Sequence, residues 1–368
     1  MPATSATMTP ERILLLPICG LGDAVFYAPY LRAIREQYAK AEVTVIVATA
    51  AARAILQQAS ENVEVIVFNR SQEKRPWMRV LKLVWAIRRR KFDLVISGAH
   101  QNSARVPLLA FLSGASVRVG ARSEKMSFLY NRFVDVPTTA HYKDRYRSLL
   151  RAAGIPAPAQ RLIPALAPPP EAKSAAMRLW REAGLEDAEL VIGMVSGADT
   201  NTRSQWQPYL KRWNNEGYAE VAKWAVRELD ARVVMIGSAS ESVLADEIAA
   251  LSGVPIVNWC GKTGLKELQW IISKCAAIIS NDTGTMHLAG ALGTQVLALF
   301  GPTSPASFKP PGEGNRIIQG HAPCSPCYPY PTCNLTSCLA MNNIAPPQVI
   351  EGLSVLLSSR KNVTAPQK

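Results

Sequence analysis

Residues 278–305, IISNDTGTMHLAGALGTQVLALFGPTSP, pass from strand to polar corner, helix, strand and Gly-Pro turn without a break. This places the chain in a parallel α/β sheet. The apolar runs 276–279 and 295–300 carry almost no polar side chain, so both faces of each strand are covered. Between them, Ser280, Asn281, Asp282, Thr283 and Gly284 supply cap-forming residues ahead of Met286, His287, Leu288 and Ala289. A helix starting there leaves its first N–H groups without intrahelical partners. Those donors and the positive end of the helix dipole favour a phosphate, and Gly284 has no side chain to keep a diphosphate from the backbone. Asp, Thr and Gly also open many helices that bind nothing. His287 therefore matters: in the first turns its imidazole can donate to a phosphate or sugar oxygen, although a lone His near an apolar face is more often a packed, hydrogen-bonded residue.

The same grammar recurs along the chain. Strands are expected at 12–16, 43–47, 63–68 and 94–96, with helices at 24–38, 51–58 and 77–90. After a gap come strands at 190–194, 232–236, 256–258 and 276–279, with helices at 172–183, 218–229, 242–251 and 265–273. Residues 161–171, RLIPALAPPPE, are proline-rich and aperiodic, as a linker is. A chain of 368 residues, 48% of them hydrophobic, is too long for one ordinary core and fits two. The expected division is 1–163, a linker at 164–171, a second domain at 172–345, and a C-terminal helix and tail at 346–368. The fold class is α/β, with two doubly wound domains facing each other across a cleft and ligands beyond the carboxyl ends of the strands.

At the first such end, Gly20-Leu21-Gly22-Asp23 imitates a dinucleotide fingerprint, but its third glycine would fall at Val25, and no acidic residue ends the second strand to hold a ribose. Asp23 is open to two readings, a general base aimed into the cleft or a simple helix N-cap.

The net charge of +13 calls for an acidic partner: nucleic acid, an anionic membrane surface or a phosphorylated substrate. The cations Lys82, Arg88, Arg89, Arg90 and Lys91 crowd one helix end, and Arg105, Arg118, Arg122, Lys125 and Arg132 follow. A run of this kind is more commonly a solvated face. No zinc finger, aromatic RNA-binding strand or basic helix with dimer heptads is present, which argues against nucleic acid and for an anionic lipid or sugar-phosphate acceptor. No apolar run approaches the roughly 20 residues of a membrane span, and residues 1–11 lack the apolar stretch of a secretory signal. Seven cysteines without such a signal indicate a reducing, cytoplasmic compartment, with Cys19, Cys260 and Cys275 as buried thiols. Cys324, Cys327, Cys333 and Cys338, spaced C-x2-C-x5-C-x4-C, are either a zinc or iron site or reduced structural thiols; the gaps are short and irregular for a zinc ribbon, and Pro323, Pro326, Pro329 and Pro331 stiffen the loop.

The run DTGTMHLAGALGTQVLALFGPTSP resembles the nucleotide-sugar signature of the glycosyltransferase family 9 heptosyltransferases, and GLGDAVFYAPYLRAIREQYAKAEVTVIV is similar to that family's opening segment. Tyr209-Leu210-Lys211-Arg212-Trp213 resembles its lysine-x-tryptophan segment, after a strand and the turn Ser196-Gly197-Ala198, and Gly237 to Glu241 its glycine-to-glutamate turn. The family often has proline after the tryptophan, where Asn214 stands here, and the polar insertion 202–207 is longer than expected.

The resemblance implies a GT-B architecture and an inverting transferase moving heptose from ADP-heptose to a lipopolysaccharide core acceptor, with no cofactor required. It implies Asp23 as catalytic base and Lys211 at the departing diphosphate. Ser196, Gly197, Glu241, Asp282, Thr283, Gly284 and His287 hold the donor, with Glu241 on the ribose or base, and Arg105, Arg122 and Lys125 meet the acceptor. The enzyme is expected to sit peripherally on the inner face of the inner membrane. A protein O-heptosyltransferase with the same donor and a non-catalytic sugar-nucleotide binder are the other readings.

Overall fold

The computed structural model describes residues 9–68, 76–98, 104–136, 140–157, 164–198, 208–327, 333 and 335–364. The insertion expected at 202–207, part of the linker, most of the amino-terminal tail, and Pro329 and Pro331 lie outside the described residues.

The chain divides into two compact units, Met1–Pro164 and Ala165–Lys368. The first contains β1 (Arg12–Leu16), α1 (Leu21–Gln37), β2 (Glu42–Val47), α2 (Ala50–Ala59), β3 (Val63–Val67), α3 (Pro76–Arg89), β4 (Leu94–Ser97), α4 (Arg105–Leu112), β5 (Val117–Ala121), β6 (Arg132–Val134) and α5 (Tyr142–Ala152). The second contains α6 (Lys173–Glu182), β7 (Val191–Val195), α7 (Asn215–Leu229), β8 (Arg232–Met235), α8 (Ser242–Ser252), β9 (Ile256–Asn258), α9 (Leu265–Lys274), β10 (Ala277–Asn281), α10 (Gly284–Ala291), β11 (Gln295–Phe300), α11 (Pro305–Phe308), β12 (Arg316–Gln319), α12 (Leu339–Asn342) and α13 (Pro346–Thr364).

Each unit carries one six-stranded sheet, ordered β3-β2-β1-β4-β5-β6 in the first and β12-β11-β10-β7-β8-β9 in the second, and every described pairing is parallel. Read from their first strands these are the same doubly wound order, which reverses between β1 and β4 and again between β7 and β10. At such a reversal the helices leave in opposite directions and open a crevice beyond the strand ends, so two positions for ligands are set by topology alone.

The interior strands are apolar because both faces are covered. β7 and β10 are buried at every residue, and β1 at all but its first. In the first unit Leu83 and Ile87 of α3 and Val106, Leu109 and Ala110 of α4 join Leu14, Leu16 and Val95 in one cluster, while α1 packs against α2 and α5. In the second, α7, α8 and α13 cover Ile192, Met194, Val233, Ile279, Leu297 and Leu299. α13 thus closes the second sheet, packing on β11 and β12. The elements from residue 105 to 152 have no counterpart in the expected pattern. Nor do β12, α11 and α12, because short half-exposed strands such as β6 and β12 lack a complete apolar period.

Candidate functional site

In the second unit the reversal point is built from the carboxyl ends of β7 and β10. Asn281, Asp282 and Thr283 differ from the expectation of a simple capping corner: Ser280 and Asn281 are the last residues of β10, and Thr283 is the N-cap of α10 with no side-chain cap bond. The first backbone N–H groups of α10, starting at Gly284, are left for another acceptor. Asp282 points elsewhere.

Asp282 is 5 % exposed, and its Oδ2 accepts from Lys211 Nζ at 2.9 Å. Its Oδ1 lies 3.6 Å from Nε2 of His287, the fourth residue of α10. Burial alone would raise the carboxyl, but the Lys211 ammonium and the His287 imidazole outweigh it and hold the group well below the usual carboxylate range. The result is a buried anion with a cation held at its side, both at the start of a helix.

Lys211 reaches that position through Trp213. Residues Pro208–Lys211 form a short 3-10 turn, and Trp213 is buried behind it. The indole Nε1 donates to the carbonyl of Ile344 at 3.0 Å, its ring meets Tyr218 edge-on at 5.1 Å, and it lies where a Cβ on Gly217 would stand. The ring needs a glycine there.

Asn281, which the sequence reading treated only as a corner residue, is the hub. Its Oδ1 accepts from Trp213 N at 3.2 Å and from Tyr218 OH at 3.1 Å, and its Nδ2 donates to the Ser196 carbonyl at 2.9 Å and the Gly197 carbonyl at 3.3 Å. One buried amide ties the end of β10 to the end of β7 and to the lysine segment. The signal was available in the sequence: an amide ending an otherwise apolar buried strand needs partners.

Gly197 and Glu241 are also coupled. Glu241 closes a capping box with Ser238, its Oε2 accepting from Ser238 N at 2.6 Å and Ser238 Oγ at 2.9 Å. Its Oε1 occupies the space that a side chain on Gly197 would need. Ser196 is buried beside them. After β11, Gly301, Pro302 and the buried Thr303 form the next corner, and the Thr303 hydroxyl has no hydrogen-bond partner among the described residues.

The cysteine segment rests on that corner, with Cys327 N donating to the Pro302 carbonyl at 2.9 Å. All four of its cysteines are free thiols. Burial and the neighbouring thiols of Cys324, Cys338 and Cys333 push Cys327 up. Cys338 is buried in the core as the N-cap of α12, and Cys324 is exposed. Among the described residues no group of three or more His, Cys, Asp or Glu side chains is arranged to hold a metal ion.

The first unit has its own reversal point, between β1 and β4. Asp23 stands there, within the first turn of α1 and not at its cap, which is Gly20. It is half-buried. Burial and then the Asp23 charge push the thiol of Cys19 and the phenol of Tyr146 up. Tyr146 belongs to α5 and packs edge-on against Tyr27 at 4.9 Å; the hydroxyls of both lack hydrogen-bond partners among the described residues. The carboxylate of Asp23 thus stands beside an aromatic wall.

Arg105 begins α4, which follows β4, and Arg122 and Lys125 follow β5, so all three are exposed on the carboxyl-end side of the sheet that carries Asp23. Arg122 pairs with Asp135 at 3.0 Å and lies over Phe133 at 3.9 Å. Glu124, between them, is 3 % exposed and accepts from Tyr130 OH at 3.0 Å and from Ser97 Oγ at 3.3 Å. Burial, only partly offset by these two donors, pushes its carboxyl up to about 8.

Comparison with known proteins adds to this geometry. The family model described as glycosyltransferase family 9 (heptosyltransferase) matches residues 80–336, a span that includes Lys211, Glu241 and the 282–287 corner and begins after Asp23. Lipopolysaccharide heptosyltransferase 2 of Escherichia coli is 30% identical over 316 residues, covering 84% of this chain and 88% of its own. The solved E. coli ADP-heptose lipopolysaccharide heptosyltransferase II superposes with a TM-score of 0.71 at 25% identity, over 95% of this chain and 99% of its own. A Veillonella parvula protein of family 9 shares the fold, with a TM-score of 0.73 at 21% identity over 95% and 97% of the two chains.

Proposed function

Since the chain belongs to glycosyltransferase family 9, the heptosyltransferases, and is a transferase of the GT-B type, we propose that it moves heptose from ADP-heptose to a lipopolysaccharide core acceptor. The observation that carries this reading is the Lys211–Asp282–His287 group at the start of α10. It sets a cation and unpaired helix donors at one strand end, where a leaving diphosphate needs both.

The donor diphosphate lies on the first N–H groups of α10 and against Lys211, with Thr283 and Gly284 in contact and Glu241, Ser196 and Gly197 lining the nucleoside side. The acceptor saccharide is held by Arg105, Arg122 and Lys125 of the first unit. Asp23 takes the proton of the acceptor hydroxyl as its oxygen attacks the anomeric carbon. The bond from that carbon to the diphosphate oxygen breaks, and its electron pair leaves with ADP. A single displacement inverts the anomeric centre. Asp282 holds the Lys211 side chain at the point where negative charge grows, so the departing ADP is stabilised by protein groups and no cofactor is required. The enzyme works on the cytoplasmic side of the inner membrane, peripherally attached, because its acceptor is anchored there.

Incubation with ADP-heptose and a heptose-deficient lipopolysaccharide core, followed by mass and linkage analysis, tests the reading. One added heptose in the opposite anomeric configuration is the expected product. Heptose appearing instead on Ser or Thr of a protein acceptor would replace the acceptor, and ADP binding without transfer to either would overturn catalysis.

A further inference from the structure

One face of α3 is exposed and apolar although its opposite face is core. Leu83 and Ile87 are buried against the sheet, while Trp77, Leu81 and Trp85 are 61 %, 59 % and 61 % exposed. Their spacing of four residues puts these three side chains in one stripe along the helix. The stripe is flanked by exposed Lys82 and Arg89, and the Arg89 guanidinium lies 4.4 Å from the centre of the Trp85 ring. Two large indoles in solvent serve nothing in the cores of either unit.

The patch continues beyond α3. Arg88 Nη1 donates to the Leu112 carbonyl at 3.2 Å and so fixes α3 beside α4, and α4 packs next to the turn Ser127–Leu129, where Phe128 is 75 % exposed. Residues 76–136 contain eleven Lys or Arg and three Asp or Glu. Each of the three acids is engaged: Asp93 accepts from Arg12 N, Asp135 pairs with Arg122, and Glu124 is buried. The surface is therefore apolar and aromatic within a cationic field that no exposed, unpaired carboxylate of the same segment opposes.

We infer that this face of the first unit, centred on Trp77, Leu81 and Trp85, docks the enzyme on an anionic phospholipid bilayer, with the indoles at headgroup depth and Lys82 and Arg89 on the lipid phosphates. Tryptophan is the side chain suited to a membrane–water boundary, having an apolar body and one N–H to satisfy. A stripe of two tryptophans and a leucine beside two cations is the pattern of a helix lying in the interface plane, and each cation near an anionic leaflet adds about fivefold in affinity. A second copy of this chain would bring the same cationic field against itself, which disfavours self-association through this face. The inference rests on the reading of the acceptor as membrane-anchored for its purpose, but not for its test.

The test is co-sedimentation of the full chain with vesicles of phosphatidylcholine alone and of phosphatidylcholine mixed equally with phosphatidylglycerol, with tryptophan fluorescence read in parallel. Binding to the anionic vesicles alone, weakening with salt and accompanied by a blue shift, is expected. The double variant Trp77→Ala/Trp85→Ala should lower vesicle affinity at least tenfold, and Lys82→Ala about fivefold. Both variants should keep wild-type kcat on a delipidated, soluble acceptor. Equal binding to both vesicles, unchanged binding by the double variant, or a concentration-dependent dimer that the double variant abolishes would each overturn the proposal. Loss of transfer with vesicle binding intact would count against the catalytic reading and not against docking.

Discussion

Lys211 and Asp282, 71 residues apart in sequence, meet with Nζ 2.9 Å from Oδ2. The pair is unequal: Asp282 is almost fully buried, whereas the Lys211 side chain retains 26 % of its exposure. Removing the lysine therefore strands a buried charge, and removing the carboxylate frees a cation to reach solvent.

Lys211→Met is expected to destabilise the second unit by about 3 kcal/mol, the lower end for breaking a buried pair, while Lys211→Met/Asp282→Asn recovers part of that loss. Urea unfolding of the two singles and the double, closed as a cycle, measures the coupling. Additive single effects would show that the pair does not act as one. The same lysine change should lower kcat by about 10²–10³-fold, the usual weight of one donor on a developing anion.

Asp23→Asn keeps the shape of the first turn of α1 and removes the carboxylate proposed as the base. Turnover should fall by about 10²–10⁴-fold, while ADP affinity, measured by calorimetry, stays at the wild-type value because the nucleotide is assigned to the other unit. Wild-type turnover in this variant would take the proton-transfer role from Asp23.

Asn281→Ala removes the acceptor of Trp213 N and the donor to the Ser196 and Gly197 carbonyls together, while Tyr218 OH keeps the Val195 carbonyl at 3.0 Å. With each buried orphan worth about 1–3 kcal/mol, the melting temperature should drop by several degrees or more, and ADP affinity should fall with it. Asn281→Ala with an unchanged melting temperature would mean that water or relaxation replaces these bonds.

Gly197→Ala tests whether the Glu241 carboxylate must stand where it does. A methyl there overlaps Oε1, so the carboxylate or the end of β7 has to move. Weaker ADP binding with only a small shift in the urea midpoint is the expected pattern; unaltered ADP binding would remove this turn from the nucleotide site.

Glu124 supplies the pH dependence. Its carboxyl is pushed up to about 8 in the folded chain from an ordinary value of 4.5. Between those values the unfolded chain has released the proton while the folded one holds it, so stability falls as pH rises through that window and levels off above about 8. Glu124→Gln removes the titration. Its stability curve should be flatter from pH 5 to 8, with the variant more stable than wild type at pH 8 and the two converging toward pH 4.5. Parallel curves across the range would show that Glu124 ionises normally.

Much of this protein was legible in one dimension. The apolar runs at 12–16, 232–236 and 295–300 could only be covered strands, and the glycine and polar corners after them marked the carboxyl ends of parallel strands, because side-chain period and turn chemistry are local properties. Lys211, Asp282 and His287 were each singled out, but as separate contacts to a ligand, since their being near one another depends on which strands are neighbours. Only the tertiary structure sets β7 beside β10, and that adjacency converts Asn281 from a corner residue into the hub joining Ser196, Trp213 and Tyr218, and Asp282 from a cap into the partner of Lys211. The aromatic wall at Asp23 and the buried carboxyl of Glu124 were hidden for the same reason: burial of a polar group is a property of what packs over it, and sequence order does not encode packing between elements far apart in the chain.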